Sequence, residues 1–290
     1  MRFVLNILYV LLVILASPWL LYAALHHGKY REGWSAKLLG RVPVRPGVRR
    51  CVWLHAVSVG EVNLLGPLLT AIEHAYPDWD CVISTTTRTG YELARKKYAP
   101  RTVTYCPLDF SWAVHAALKR IRPDVLILAE LELWPNLISL ARRRGVRIAV
   151  VNGRLSERSW RGYRRVLGWM RQLFSQVDLI AAQNEEYAER FRDLGAPAEA
   201  VHVTGSIKFD GAQSDRGNPL SNRLANLAGI ATNDVVLLAG STQHPEEKLA
   251  IDCFRRLAPR HSQLRLIVVP RHPERFDEVE FGAGVGAQAD

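Results

Sequence analysis

The chain has 290 residues and 48% apolar content, which excludes a disordered polypeptide and leaves room for two domains of ordinary size. Its formal net charge of +10, from 38 Lys and Arg against 28 Asp and Glu, suits an acidic partner: nucleic acid, anionic lipid or a phosphorylated substrate. No nucleic-acid-binding module appears, and the four cysteines show neither disulfide nor metal-ligand spacing.

Phe3 to Leu25 is apolar and uncharged, and is longer than the roughly 20 residues a bilayer-spanning helix requires. Pro18 would kink such a helix without excluding it. A cleaved signal peptide competes, because Leu21-Tyr22-Ala23-Ala24 resembles a cleavage site. The run is long for a signal core and only Arg2 precedes it, which favours an uncleaved single-pass anchor over residues 1–28. The basic flank His26, His27, Lys29, Arg31, Lys37 and Arg41 places the rest of the chain on the cytoplasmic side by the positive-inside rule.

Beyond the anchor, strands and helices alternate. Strands are expected at Val52–Val57, Cys81–Thr86, Thr102–Cys106, Val125–Glu130, Val146–Asn152, Asp178–Gln183 and Val201–Thr204. Helices are expected between them at Val62–His74, Tyr91–Tyr98, Trp112–Ile121, Leu133–Arg144, Trp160–Phe174 and Glu185–Leu194. This rhythm predicts an α/β fold with a doubly wound parallel sheet over residues 29–206. Ile207 to Arg216 reads as a linker. A second unit starts over residues 207–279, with helices Leu220–Leu227 and Glu246–Ala258 and strands Val235–Ala239 and Leu264–Val269. Two strands make an incomplete sheet domain, so a truncated second domain is the expectation, with a small closing lobe as the competing reading. Residues 280–290 form an unpatterned tail.

The residues suited to chemistry follow strand ends. Val125 to Ala129 is apolar on both faces and gives way to Glu130, Glu132, Trp134, Pro135 and Asn136. Acids just beyond the carboxyl end of a covered strand stand where open α/β sheets bind ligands; the bland alternative is a solvated turn. His55-Ala-Val-Ser58-Val-Gly60-Glu61 follows the first strand, where helix-start amides can hold an anion or hydroxyl, although Ser58 and Glu61 also read as cap residues. Ser84-Thr-Thr-Thr87-Arg88-Thr-Gly90 repeats this arrangement without nucleotide-fingerprint spacing. Asn152-Gly-Arg154-Leu-Ser-Glu-Arg-Ser159 leads into a helix carrying Arg161, Arg164, Arg165 and Arg171, which suits anionic headgroups or is simply a solvated basic face. Lys208 lies in Gly205-Ser-Ile-Lys-Phe-Asp210, and Ser241, Thr242, Arg271 and His272 follow the two strands of the second unit, where they suit a phosphate.

Taken together and in order, these motifs resemble the Kdo (3-deoxy-D-manno-octulosonic acid) transferases of lipopolysaccharide assembly. The resemblance rests on His55–Glu61, Thr85–Gly90, Glu130–Asn136, Asn152–Ser159, Gln183–Glu186, Gly205–Asp210, Gly240–Thr242 and Pro270–Arg275, and extends to about Val279. It implies a membrane-anchored GT-B glycosyltransferase at the inner membrane, made of two Rossmann-like domains. It also implies transfer of Kdo from a CMP-Kdo donor to lipid IVA, the lipid A precursor, with inversion and with no metal or cofactor. Nucleotide contacts fall on Ser241, Thr242, Arg271 and His272, and substrate contacts on His55, Ser58, Gly60, Glu61, Thr87, Arg88, Asn152, Arg154 and Lys208. Two departures stand out. The family's Gly-x-x-Glu-(Arg/Lys) segment, whose Glu is the proposed base, reads Gly33-Trp-Ser-Ala36-Lys37. The glycine-rich and Asn-Pro-Leu-Glu-type donor motif further along is not in this sequence. Glu130 and Glu132 become the nearest candidates for proton chemistry, with Glu32 as a substitute for the base; a catalytically inactive glycolipid-binding remnant is the alternative.

Overall fold

The structure is a computed structural model that describes residues 2–27, 32–210, 215 and 217–283. Residue contacts divide the chain into unit 1, Met1–Ala212, and unit 2, Gln213–Asp290. The tail beyond residue 283 and much of the expected linker lie outside the described residues.

Unit 1 is built on seven strands: β1 (Cys51–His55), β2 (Asp80–Thr85), β3 (Thr102–Tyr105), β4 (Val125–Ala129), β5 (Arg147–Gly153), β6 (Leu179–Ala182) and β7 (Val201–Val203). Every pairing is parallel, in the order β3-β2-β1-β4-β5-β6-β7. The order reverses between β1 and β4, where Val52 pairs with Val125 and His55 with Leu128. The doubly wound expectation is met, and it fixes one crevice at the carboxyl ends of β1 and β4.

The pleat sorts the apolar residues. Cys51, Trp53, Leu126 and Leu128 enter one core; Val52, Leu54, Ile127 and Ala129 enter the other. Alternate residues thus face opposite layers, and both layers are apolar because helices cover both faces. The helices are α2 (Trp34–Leu39), α3 (Val59–Ala75), α4 (Arg88–Tyr98), α5 (Ser111–Ile121), α6 (Pro135–Arg143), α7 (Glu157–Arg164), α8 (Leu167–Phe174) and α9 (Glu185–Asp193). Side-chain caps at Ser58, Thr87, Ser156 and Asn184 start four of them.

Three sequence expectations change. The single basic helix Trp160–Phe174 is two helices, because Val166 leaves helical geometry (φ −122°, ψ 36°) between α7 and α8. Glu130 is not part of β4; its backbone turns to φ 57°. The short helix α2 had no sequence signal, since its six residues are too few for a periodic pattern. The N-terminal apolar run is a helix, α1 (Arg2–His27). Among the described residues, however, no helix is long and apolar enough to cross a membrane, so the single-helix span lacks structural support. The side chains of residues 3, 4, 20, 21 and 23–25, within the apolar run, are not described.

Unit 2 has a parallel pair, β8 (Val235–Thr242) and β9 (Leu264–Pro270), with α10 (Pro219–Leu227), α11 (Glu246–Leu257) and α12 (Phe276–Ala283). Val235 and Leu238 of β8 are exposed, unlike any residue of β1.

Gly40 ends α2 at φ 63°, and a Cβ there would meet the Ala113 carbonyl oxygen at 1.9 Å. Gly47 has φ 74° but nothing within 4 Å of the same position. Gly47→Ala should therefore cost only the left-handed penalty of about 1–2 kcal/mol, and Gly40→Ala clearly more. All eight tryptophans lie in unit 1, so urea unfolding followed by tryptophan fluorescence reads both variants.

Candidate active site

At the switch point the β1–α3 turn faces the β4–α6 turn. In the first turn Ser58 and Glu61 form a reciprocal cap: Glu61 N donates to Ser58 Oγ at 3.3 Å, and Ser58 Oγ donates to Glu61 Oε1 at 2.8 Å. Glu61 Oε2 also accepts from Val57 N at 2.8 Å, so both residues spend their polar atoms on the turn itself. A Cβ on Gly60 would have only Ser58 Oγ, at 3.8 Å, as a neighbour, so the approach over the helix start is open. Gly90 is the opposite case: a Cβ there would sit 2.6 Å from Thr85 Oγ1 and 2.8 Å from Thr87 Oγ1. Both hydroxyls donate to Val57 O at 3.0 Å, which ties the β2–α4 turn to the β1–α3 turn.

His55 is fully buried. Its Nδ1 lies 3.2 Å from Ser84 O and 3.0 Å from Ser84 Oγ. A carbonyl oxygen only accepts, so the proton resides on Nδ1 and Nε2 is a bare acceptor. Nε2 has no hydrogen-bond partner among the described residues, and the ring stands edge-on to Trp134 at 6.2 Å. Burial lowers the imidazole pKa to about 4, against the pull of the Ser84 carbonyl, so the ring is neutral at physiological pH.

In the second turn Glu130 adopts φ 57°, a region that non-glycine residues rarely occupy, while its N–H donates to Val151 O at 2.9 Å. Asn152, at the end of β5, does the same at φ 55°. Such strain gathers at functional sites. Glu132 accepts from Trp134 Nε1 at 2.8 Å. Desolvation raises its pKa, and Glu61 and Glu130 push the same way, while the Trp134 bond pulls back. The site therefore brings Glu61, Glu130 and Glu132 together, and desolvation disposes Glu132 to hold a proton.

The acid turn is fixed by a residue the sequence reading did not single out. Asp109, buried after β3, accepts from Asn136 N at 2.9 Å, Leu137 N at 2.8 Å and Tyr9 Oη at 3.1 Å. Burial raises its pKa to about 6 despite those donors. A cap that reaches from another loop leaves no local signature, which is why sequence spacing misses it.

Glu32 stands apart, exposed, 3.8 Å from Arg88 Nε and 3.5 Å from the Tyr105 hydroxyl. Arg88 also pairs with Glu92 at 2.8 Å. Ala36 is buried in the core beside Tyr105, so the position at which the resemblance expects a base carries only a methyl facing inward. Asn152 Oδ1 accepts from Ser206 Oγ at 3.2 Å and Ile207 N at 3.3 Å, holding the Gly205–Asp210 segment to unit 1; Lys208 and Arg154 are exposed.

In unit 2, Arg271 N donates to Thr242 O at 3.0 Å, so the two expected phosphate turns are neighbours. Ser241 has φ 58°. The amide of Gln243, two residues ahead of the α11 N-cap, is already taken by Glu246 Oε2 at 2.8 Å, and Glu247 pairs with Arg275 at 2.7 Å. Two carboxylates in the first turn of α11 oppose the expected anion cradle there, leaving Arg271 as its cation with His272 beside it in sequence.

Residues 31–211 match the family model described as 3-deoxy-D-manno-octulosonic-acid transferase (kdotransferase). The 3-deoxy-D-manno-octulosonic acid transferase of Chlamydia trachomatis serovar D is 30% identical over 267 residues, covering 91% of this chain and 61% of that protein. The Haemophilus influenzae enzyme of the same name is 34% identical over 230 residues, covering 79% of this chain and 53% of that protein. The chain thus spans between half and two thirds of these relatives' lengths. Among solved structures, UDP-GlcNAc 2-epimerase from Neisseria meningitidis superposes with a TM-score of 0.56 at 10% identity, over 82% of this chain and 70% of that one, which shows a shared fold.

His55 and Asp109 make opposite contributions to stability. His55 is charged in the unfolded chain below about 6.5 but neutral in the fold down to about 4, so its contribution is complete above 6.5 and lost as pH falls. Asp109 binds its proton near 6 in the fold against 3.8 unfolded, so its contribution is complete below 3.8 and lost as pH rises through 6. Each amounts to roughly 3 kcal/mol and they largely cancel between pH 4 and 6. His55→Gln should therefore grow more stable from pH 6.5 to 4.5 while the unchanged protein stays nearly flat, read by urea midpoint against pH.

Proposed function

This chain belongs to the 3-deoxy-D-manno-octulosonic acid transferase family, and from that membership we propose that it acts in transfer of Kdo from CMP-Kdo to lipid IVA. The supporting observation is the half-buried Glu132, its pKa raised chiefly by desolvation, at the strand-order reversal. A base works best when its pKa approaches the operating pH. In the proposed step Glu132 takes the proton from the acceptor hydroxyl as that oxygen attacks the anomeric carbon of Kdo. The bond to the phosphate of CMP breaks with inversion, and CMP leaves with the electron pair. No metal takes part in this scheme.

Glu130 keeps Glu132 basic through its negative charge, and His55 Nε2 accepts a hydrogen bond from a sugar hydroxyl when the Trp134 turn opens. Within unit 2, Arg271 and His272 suit the phosphate of a nucleotide. Lys208 meets an anionic group of donor or acceptor. The protein works at the cytoplasmic face of the inner membrane, with Arg158, Arg161 and Arg165 of the α7–α8 region facing anionic lipid and Trp169 at the interface. A second reading, a glycolipid-binding fold without transfer, is favoured by Ala36, whose methyl cannot accept a proton.

The two readings part in one assay. Lipid IVA and a CMP-Kdo-generating system are incubated with this chain, and with this chain joined to the part of the Haemophilus influenzae relative that lies beyond the matched residues; lipid mass is followed. Kdo gain by the joined protein, reduced roughly 10²–10⁴-fold by Glu132→Gln, supports transfer. No gain from either protein, with lipid IVA still bound, supports the binding reading.

A further inference from the structure

Helix α1 is docked on unit 1 along one face. Leu5 is buried, and Asn6, Tyr9, Val13, Ala16 and Ser17 are partly buried, a spacing of three and four that defines a single helical stripe. The outward face carries Ile7, Leu8, Leu11, Ile14, Leu15 and Trp19, all exposed, Leu15 to 77%.

The docked face is held by specific polar contacts. Asn6 Nδ2 donates to Ser111 Oγ at 2.7 Å, and Asn6 Oδ1 accepts from Ser111 N at 3.0 Å. That second bond caps α5, whose own N-cap residue, Phe110, has no side chain able to do so. Three residues on, Tyr9 Oη donates to Asp109, and its ring meets Phe110 edge-on at 6.0 Å.

These contacts are incompatible with a spanning helix. In a helix that crosses the bilayer with His26, His27, Lys29 and Arg31 on the side of unit 1, the 21 residue steps from Asn6 to His27 rise about 32 Å. That matches the hydrocarbon thickness of about 30 Å, so Asn6 would stand at the far face. It could not touch Ser111. Crossing would also remove the partners that the Asn6 amide and the Tyr9 hydroxyl have here.

We infer that α1 is a monotopic anchor: it lies against unit 1 in the plane of the membrane surface, with its outward apolar face in lipid. The occupant of that face is lipid because the residues that follow it are basic (Lys29, Arg31, Lys37, Arg41) and the chain carries net charge +10, which complements anionic headgroups. The inference does not rest on the sugar-transfer reading, and its test needs no activity.

Asn6→Cys and Ser111→Cys are introduced together in a Cys253→Ser background, which removes the one exposed native thiol among the described residues. The protein is oxidised in its membranes with copper phenanthroline. An intramolecular disulfide is expected; its absence from a folded protein overturns the inference. If the pair disturbs folding, Asn6→Cys alone decides: in sealed right-side-out vesicles a membrane-impermeant maleimide should label it only after permeabilisation, and labelling in intact vesicles overturns the docked arrangement. Leu8→Glu with Leu15→Glu should abolish flotation with vesicles of phosphatidylglycerol and phosphatidylethanolamine while the disulfide still forms. Undiminished flotation, or loss of a dimer in its place, overturns lipid as the partner.

Discussion

The carboxylate of Asp109 joins three elements that no backbone ladder connects. It accepts two amides from the first turn of α6, caps that helix from the β3–α5 loop, and takes the Tyr9 hydroxyl of α1. Pro135 at the start of α6 has no N–H to offer, so the next two amides depend on a partner from elsewhere. Because the acid turn ends at Trp134, the position of Glu132 follows from where Asp109 holds α6. The raised pKa of Asp109 reflects the cost of keeping a carboxylate in this dry position. Its donors make up only part of that cost.

The parallel sheet also sets the chemistry. A strand buried on both faces offers side chains to ligands only at its ends, and the order reversal leaves the ends of β1 and β4 uncovered by a crossover. Glu130, Asn152 and Ser241 each take a left-handed backbone conformation at the end of a strand. At β4 this conformation redirects the chain from a fully apolar strand to a pair of acids within one residue. Three neighbouring carboxylates follow, and burial raises the proton affinity of Glu132 among them.

Much of this arrangement was legible in the sequence, because parallel strands announce themselves by unbroken apolar runs and helices by their caps. Val125–Ala129 and Cys51–His55 were readable in this way, and the turn residues after them came with the strands. The split of α7 from α8 was not legible: an arginine-rich run through Val166 has no proline and gives no local reason to stop. The role of Asp109 was hidden because its partners are 27 and 28 residues away in the chain. The docking of α1 was hidden for a different reason. Apolar composition reports the wish to leave water but not the direction taken, and the decisive groups are two polar residues, Asn6 and Tyr9, inside an apolar run. Ser58 and Glu61 illustrate the converse, since the bland cap reading accounts for every polar contact they make within the protein.

The thiols have a consequence of their own. Cys51, Cys81 and Cys106 are buried in unit 1, and desolvation pushes Cys51 up to about 12, Cys81 up to about 11 and Cys106 higher still. Only thiolates react readily with peroxide or alkylating agents. Cys106 lies next to Ser84 and within the field of Asp109 and Glu132, yet it stays protonated and enclosed. Unit 1 is thus chemically quiet under oxidative stress. Electrophiles are directed to Cys253 on unit 2 instead, which gives a native handle for attaching a single spectroscopic probe without disturbing the acid turn.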